Sequence, residues 1–149
     1  MIGTMNSDPV TVLVIEAHPM MREALCTAIA DEVDMKVGMQ ADNVTQALQM
    51  ATIVVPDIIL LALDNSDQGD MDGLIALRQF LPGTPILALT SNEEAGQEQV
   101  TLENGAQAVL TKAAPRVELL SALRELGRKA IIDHSEVHLG QEAGEKISH

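Results

Sequence analysis

Five short apolar segments alternate along the chain with segments that have helical periodicity. The segment IILLAL at Ile58–Leu63 contains no polar residue, so both faces of this strand must be covered by other parts of the protein. The segment VTVLVI at Val10–Ile15 is rich in β-branched residues, and Met21, Leu25 and Ile29 recur after it at helical spacing. This alternation predicts a doubly wound α/β fold, in which a parallel sheet lies between two layers of helices.

The remaining elements follow the same alternation. We expect strands at residues 35–40, 84–89 and 107–110, and helices at residues 44–52, where Asn43 is a cap, and 73–81. Ser91 and Glu94 form a capping-box signature for a further helix that ends near Gly105, and Pro115 is placed to begin the last helix. The apolar stripe of that last helix comprises Val117, Leu120, Leu123, Leu126 and Ile131.

The periodic part of the chain predicts one domain. Residues 10–131 contain all the expected strands and helices, and a chain of about 150 residues is large enough to bury one core. Residues 1–9 are expected to form a flexible N-terminal arm. Apolar periodicity ends at Asp133, so we expect residues 132–149 to form a polar, mobile C-terminal tail.

Charge and composition exclude several kinds of partner. The 149 residues include 9 Lys plus Arg and 22 Asp plus Glu, which gives a formal net charge of −13 and predicts no nucleic-acid partner. No apolar run approaches the roughly 20 residues needed to span a bilayer, so no membrane segment is expected. The N-terminus lacks the features of a secretory signal and Cys26 is the single cysteine, so we expect a cytoplasmic protein in which Cys26 is a small buried side chain.

The residues that follow the strands are the candidates for a functional site. In doubly wound sheets, ligands bind beyond the carboxyl ends of the parallel strands. The residues at these positions are Glu16, Ala17, Ala62, Asp64, Thr90 and Lys112.

Several segments together resemble the receiver domain of two-component response regulators. They are VLVIEAHPMMREAL, PDIILLAL, MDGLIALRQF, PILALTS and GAQAVLTKAAP, and the resemblance covers residues 10–131. It implies a flavodoxin-like fold with strand order 2-1-3-4-5 and a role in phosphorelay signalling rather than as an enzyme. It also implies that an Asp at the end of the third strand accepts a phosphoryl group from a histidine kinase, with Mg²⁺ held by an acidic pair after the first strand.

This sequence departs from the family pattern at the chemistry itself. Ala62 occupies the phosphoacceptor position, and a methyl group cannot attack phosphorus. The acidic pair is reduced to Glu16 and Ala17, so we expect Mg²⁺ binding to be weak or absent, and no other cofactor. Val109 stands where the family has a switching aromatic residue. We therefore expect a stand-alone atypical receiver, or pseudo-receiver, that acts by binding and has no catalytic residues.

Two alternatives keep chemistry or a ligand at this degenerate pocket. Asp64 could replace the missing acceptor, although two residues of extended chain move it about 6.6 Å outward. Thr90 and Lys112 match the family's phosphoryl-binding positions and could bind a small anion. A third hypothesis is that Glu16 forms an ion pair with Lys112 that substitutes for the metal and fixes one conformation.

The resemblance also indicates where partners bind. Receivers commonly dimerise or meet proteins through the fourth helix, fifth strand and fifth helix, so we expect a protein partner or a homodimer there. Four of the nine basic residues, Arg116, Arg124, Arg128 and Lys129, lie in the last helix. These side chains could form ion pairs with a dimer mate or an acidic partner, or could form an ordinary solvated face.

Three further features are more simply read as structural. Residues 64–75 partly imitate a calcium loop, but Gln68 and Ile75 stand at ligand positions, so an Asp- and Gly-rich loop is the simpler interpretation. His18 at a helix start has no evident acidic partner. His134 and His138 have helical metal-ligand spacing but no third ligand.

Overall fold

The chain folds into a five-stranded parallel sheet covered on both faces by helices. The computed structural model describes residues 8–63, 68–91 and 97–147. The elements are β1 Val10–Ile15, α1 Pro19–Ala30, β2 Met35–Ala41, α2 Val44–Ala51, β3 Ile58–Leu63, α3 Gln68–Phe80, β4 Ile86–Thr90, α4 Gln97–Glu103, β5 Ala108–Thr111 and α5 Arg116–Ile147. The strand order β2-β1-β3-β4-β5 confirms the doubly wound α/β fold and the order 2-1-3-4-5.

The apolar strands supply side chains to two separate cores. In β3, Ile59 and Leu61 pack into a cluster that includes Leu74 and Leu77 of α3. Ile58 and Leu60 alternate with them and belong to a second cluster, on the other side of the sheet, that includes residues of α1 and α5. This alternation explains why IILLAL has no polar position, since each face of the strand is buried.

Several element boundaries differ from the expected ones, most of them by one or two residues. Helix α3 begins at Gln68 rather than at residue 73, and Asp70 in its first turn is favourable at the positive end of a helix. Strand β4 begins at Ile86 because Pro85 lacks the N–H needed within a ladder, although the Pro85 carbonyl accepts a hydrogen bond from the Ile59 N–H.

The last helix is longer than expected. It runs over Arg116–Ile147, so residues 132–147 are helical rather than a separate tail without secondary structure. No proline interrupts the chain after Pro115, and Glu, Gln, Lys and Ala residues sustain a helix even without a continuous apolar stripe. The stripe itself also differs, because Val117 is 76% exposed and Leu119 is buried with Leu120 and Leu123.

Arginines of α5 are used within the chain. Arg116 pairs with Asp31 at 3.1 Å, and Arg124 pairs with Glu32 at 2.8 Å and also with Asp34. Both arginines therefore attach α5 to the turn between α1 and β2. Docking of these charges to a dimer mate or an acidic partner stays a prediction, and Arg116 and Arg124 already have acidic partners within the chain.

Arg78 of α3 fixes the loops at the amino ends of β4 and β5 by hydrogen bonds to their carbonyls. Arg78 of α3 donates hydrogen bonds to the carbonyls of Pro82 at 2.9 Å, Thr84 at 3.0 Å and Gly105 at 2.8 Å. Burial lowers the pKa of Arg78. Gly105, where α4 was expected to end, has a φ of 128°, a conformation that favours glycine.

In the described part of the chain, no helix combines the length and apolar character required to cross a membrane.

Candidate functional site

The carboxyl ends of the strands bring the predicted residues to one edge of the sheet. Glu16 and Ala17 follow β1, Ala62 is next to last in β3, and Thr90 ends β4. The register pairs Ala62 with Leu89, and Leu63 with Thr90. The Lys112 N–H donates a 2.8 Å hydrogen bond to the Thr90 carbonyl, which fixes the loop after β5 against the end of β4.

Glu16 and Lys112 form the predicted ion pair. The Lys112 Nζ atom lies 3.3 Å from the Glu16 Oε1 atom. The Glu16 side chain is only 1% exposed and that of Lys112 is 16% exposed, so the pair is largely removed from solvent. A carboxylate buried to this extent requires a compensating charge, and Lys112 provides it.

His18 contacts the same carboxylate, and the expectation that it lacks an acidic partner is wrong. The His18 backbone N–H donates to Glu16 Oε2 at 3.0 Å, and the ring Nδ1 atom lies 3.1 Å from the same oxygen. His18 is the N-cap residue of α1, which directs its backbone and ring back toward the end of β1. The His18 side chain is 65% exposed, so its contact with Glu16 lies on the solvent-facing side of the buried Glu16–Lys112 pair.

Arg22 of α1 contacts both Glu16 and Asp42 beside the site. Its Nη1 atom donates to the Glu16 carbonyl at 2.7 Å and lies 2.7 Å from Asp42 Oδ1. One turn of α1 thus connects the end of β1 to the loop after β2. The expected cap of α2 is confirmed beside this loop, because Asn43 Oδ1 accepts a 2.8 Å hydrogen bond from the Gln46 N–H.

A cavity of about 450 Å³ opens next to Ala17 and Ala62. Its floor is formed by apolar side chains at the ends of β1 and β3 and at the start of α2, and its rim carries the carboxylates of Asp42, Asp70 and Asp72. Sequence reasoning did not find this cavity, because its rim residues belong to loops and helix starts that converge only in the fold. Within the described residues, Glu16, Thr90 and Lys112 do not line it.

Among the described residues at this edge, the donor set does not fit the Mg²⁺ ion that the family uses. Mg²⁺ requires several oxygen ligands in near-octahedral order. Glu16 supplies one carboxylate, whose oxygens contact the Lys112 ammonium and the His18 N–H, while Ala17 and Ala62 offer only methyl groups. Among the described residues, no group of three His, Cys, Asp or Glu side chains is arranged to hold a metal ion.

The other candidate residues either lie outside the described residues or belong to a helix. Residues 64–67, including Asp64, lie outside the described residues, as does Glu94 of the expected capping box. Residues 68–72 are helical rather than part of an open calcium loop. The side chains of His134 and His138 also lie outside the description.

Two further positions behave as ordinary core residues. Val109 of β5 packs, partly buried, against the core on the α3 side of the sheet, so the position expected for a switching ring is filled by an aliphatic side chain. Cys26 is partly buried against the other core, and burial raises the pKa of its thiol.

Comparison of the sequence with known proteins gives a matching family and several curated relatives. The sequence matches the response regulator receiver domain family over residues 12–124. The nitrate/nitrite response regulator protein NarL of Escherichia coli K12 is 34% identical over 122 residues, which are 80% of this chain and 56% of NarL. Response regulator GacA of Pseudomonas viridiflava is 28% identical over 115 residues, 77% of this chain and 54% of GacA. The chain thus spans about half the length of these curated relatives.

Solved structures of response regulator domains have the same fold as this chain and are related to it in sequence. The signal receiver domain of a NarL response regulator from Mycobacterium tuberculosis superposes with a TM-score of 0.71 at 26% identity, covering 81% of this chain and 98% of that one. The response regulator domain of Thermotoga maritima CheB gives a TM-score of 0.71 at 25% identity, covering 80% and 97%. From its sequence match and its strand order, this chain belongs to the response regulator receiver domain family.

Proposed function

We propose that this receiver domain is an atypical one, a pseudo-receiver that acts as a phosphorylation-independent interaction module in a two-component-type pathway. The observation that carries the proposal is Ala62 near the end of β3, where the family has its phosphoacceptor Asp. A methyl group offers no nucleophile and cannot carry an acyl phosphate. Signalling then depends on what the domain binds.

The surroundings of Ala62 support the same conclusion. Glu16 is paired with Lys112, so the lysine that would neutralise a phosphoryl group already neutralises a carboxylate of the protein. With Ala17 in place of the second acid, the site holds Mg²⁺ weakly or not at all. The degenerate phosphorylation pocket therefore comprises Glu16, Ala17, Ala62, Asp64, Thr90 and Lys112, and its ion pair fixes one conformation in place of the metal.

The proposed binding surface is the face formed by α4, β5 and α5. It contains the edge strand β5 of the sheet and two exposed apolar side chains, Val100 at 42% and Val117 at 76%. An apolar edge of this kind suits a protein partner or a second copy of the chain as a homodimer. The net charge of −13 argues against nucleic acid, and we propose that the module acts in the cytoplasm without membrane contact.

The two alternatives have weaker support. A small-anion sensor that uses Thr90 and Lys112 would need a net positive site, but Glu16 cancels the lysine charge. A receiver that uses Asp64 would have to place that carboxylate where the acceptor stands, and in-line phosphoryl transfer loses rate steeply when groups are misplaced.

Phosphorylation by acetyl phosphate with Mg²⁺, followed by intact-mass spectrometry, tests the proposal. We expect no phosphoryl addition to the wild-type chain and no change in its sedimentation coefficient. The matched control is the variant that restores both carboxylates, A17D with A62D. It should gain a phosphoryl group that hydroxylamine removes, which shows that the assay detects a competent receiver on this scaffold.

Phosphoryl addition to the wild type would overturn the proposal. If Asp64→Ala abolished that addition, the domain would be a receiver with a displaced acceptor. If the wild type changed its oligomeric state only after labelling, partner binding would depend on phosphorylation.

A further inference from the structure

Three consecutive β-branched side chains are exposed in the loop between α2 and β3. Ile53 is 83% exposed, and Val54 and Val55 are each more than half exposed. Single apolar side chains are common on protein surfaces, but adjacent ones that form a patch mark interaction sites. This loop lies beside β2, at the edge of the sheet opposite β5.

Hydrogen bonds fix the backbone of this loop at both ends. The Ile53 N–H donates to the Met50 carbonyl at 3.0 Å, which continues the end of α2. The Asp57 N–H donates to the Thr11 carbonyl at 2.9 Å, and Asp57 Oδ2 accepts a 2.8 Å hydrogen bond from the Thr11 N–H. Because the backbone is held and β-branched side chains have few rotamers to lose, burying this patch against another surface costs little conformational entropy.

An apolar hollow of about 310 Å³ lies beside the same loop. It is lined by Gly38 and Met39 of β2, by Met50 of α2, and by Ile53 and Val54. The patch therefore carries both a projecting apolar side chain and an apolar space of a size to receive one. In a two-fold dimer each copy presents the same surface, so a projection of one copy can fill the hollow of the other twice over.

Charge favours a second copy as the occupant. Residues 43–56 contain no charged side chain, although the whole chain has a net charge of −13. The preceding Asp42 is paired with Arg22, and the neighbouring strand β2 has one charged residue, Lys36. Two copies of an acidic chain repel each other, so they approach most easily where neither surface is acidic. A basic partner, in contrast, would gain more at the acidic surfaces elsewhere on the chain.

Side chains rather than backbone groups are suited to make this contact. Strand β2 lies at an edge of the sheet, but its register with β1 skips Gly38, because Val12 pairs with Val37 and Leu13 pairs with Met39. A bulge of this kind in an edge strand discourages pairing with a strand of another chain.

We propose that a second copy of this chain docks on the surface formed by the hollow and residues 53–55. Ile53 of each copy packs into the hollow of the other around a two-fold axis. The small patch gives a weak, reversible dimer with a Kd in roughly the micromolar to millimolar range. This inference goes beyond the proposed function, because a dimer at the β2 edge leaves the face of α4, β5 and α5 available to a protein partner.

Sedimentation velocity of the full 149-residue chain over a range of concentrations tests the proposal. We expect the sedimentation coefficient to rise with concentration and the amides of Met39, Met50 and residues 53–55 to shift with it in ¹⁵N–¹H correlation spectra. Added NaCl should strengthen the association, because it screens the repulsion between two acidic chains and leaves the apolar contact intact.

Two variants with the same new charge separate this patch from the rest of the surface. Ile53→Lys places a cation in the contact and should raise the Kd about tenfold or more, with a melting temperature near that of the wild type because the side chain is exposed. Met20→Lys is the matched control, since Met20 is exposed to the same extent on α1, which packs on the other face of the sheet from α2. It should dimerise as the wild type does.

The inference is overturned if the wild type remains a monomer at about 1 mM, if Ile53→Lys dimerises like the wild type, or if NaCl weakens the association. It is also overturned if Val117→Lys, and not Ile53→Lys, dissociates the dimer, because the copies would then meet through α4, β5 and α5. That last result would leave the proposed function standing. Phosphoryl addition from acetyl phosphate, in turn, would overturn the proposed function without deciding where two copies meet.

Discussion

The buried carboxylate of Glu16 has its compensating charge and a hydrogen-bond donor within a few ångströms. Transfer of a carboxylate to a site that is 1% exposed costs several kcal/mol unless charges and hydrogen bonds replace its hydration. Lys112 provides the charge, and the His18 N–H provides a hydrogen bond. The longer side chain of Glu, compared with the Asp of the family, extends the reach of this carboxylate toward Lys112.

We predict that Lys112→Met destabilises the protein by about 2 to 4 kcal/mol, because it leaves the Glu16 carboxylate buried without its cation. The measurement is the free energy of unfolding from urea denaturation at pH 7. Lys129→Met, which removes an exposed lysine from α5, should change it by less than about 0.5 kcal/mol.

A double-mutant cycle shows whether the pair is the cause. Glu16→Gln with Lys112→Met should recover part of the loss, since both charges are then absent. If Lys112→Met were as stable as the wild type, or if the double variant lost the sum of both single effects, the ion pair would not fix this part of the fold.

Some of these residue contacts were accessible from the sequence and others were not. The pair between Glu16 and Lys112 could be predicted, because the carboxyl ends of parallel strands meet at one edge and both residues follow strands. The contact between His18 and Glu16 depends on how an N-cap residue turns its ring, which composition and spacing do not reveal. Asp42 and Asp70 lie on separate segments, so only the packing of α2 against α3 brings them to one rim.

Among the elements, α5 packs closely against β1 at a glycine. A Cβ atom on Gly127 would collide with the Cγ1 atom of Val10, which is fully buried and cannot rotate away easily. The absence of a side chain at position 127 thus sets the distance between this helix and the sheet.

We predict that Gly127→Ala destabilises the protein by up to about 2 kcal/mol despite its better helix propensity. Overpacking typically costs about 1 to 3 kcal/mol, and the propensity gain of about 1 kcal/mol offsets only part of it. The matched control is Ser121→Ala on an exposed position of the same helix, which should leave stability unchanged or slightly higher. A melting temperature of Gly127→Ala equal to or above that of the control would contradict close packing here.

Element boundaries were predicted best where hydrophobic burial decides them. β1 and β3 begin and end where their apolar runs do, because the run itself is what the two cores bury. The start of α3 depends on helix-terminal electrostatics at Asp70, and the length of α5 depends on local propensity. Neither produces an apolar pattern, so both boundaries were missed.

Across the whole molecule, acidic residues outnumber basic ones by 22 to 9. Within the described residues, four of the basic ones, Arg22, Lys112, Arg116 and Arg124, form ion pairs with acidic side chains of the chain. Arg116 and Arg124 of α5 pair with Asp31, Glu32 and Asp34 in the turn between α1 and β2. A chain with a net charge of −13 is destabilised by self-repulsion, so each such pair removes repulsion as well as adding attraction. Protonation at low pH reduces the repulsion but also breaks the pairs.

We predict that the pair between Asp34 and Arg124 makes stability fall at acid pH. The hydrogen bond from the Arg124 guanidinium, with its charge, holds the pKa of Asp34 below its usual value. The native state therefore binds fewer protons at this group than the unfolded state does, and its contribution is complete above the unfolded pKa of about 4 and is lost as the pH falls through the lower native value. Asp34→Asn should cost about 1 kcal/mol at pH 7 in urea denaturation, and its stability should converge with that of the wild type as the pH falls below the native pKa. Glu125→Gln, an exposed control on α5, should follow the wild-type profile, and a gap between Asp34→Asn and wild type that stayed constant with pH would assign the loss to packing rather than to the charge.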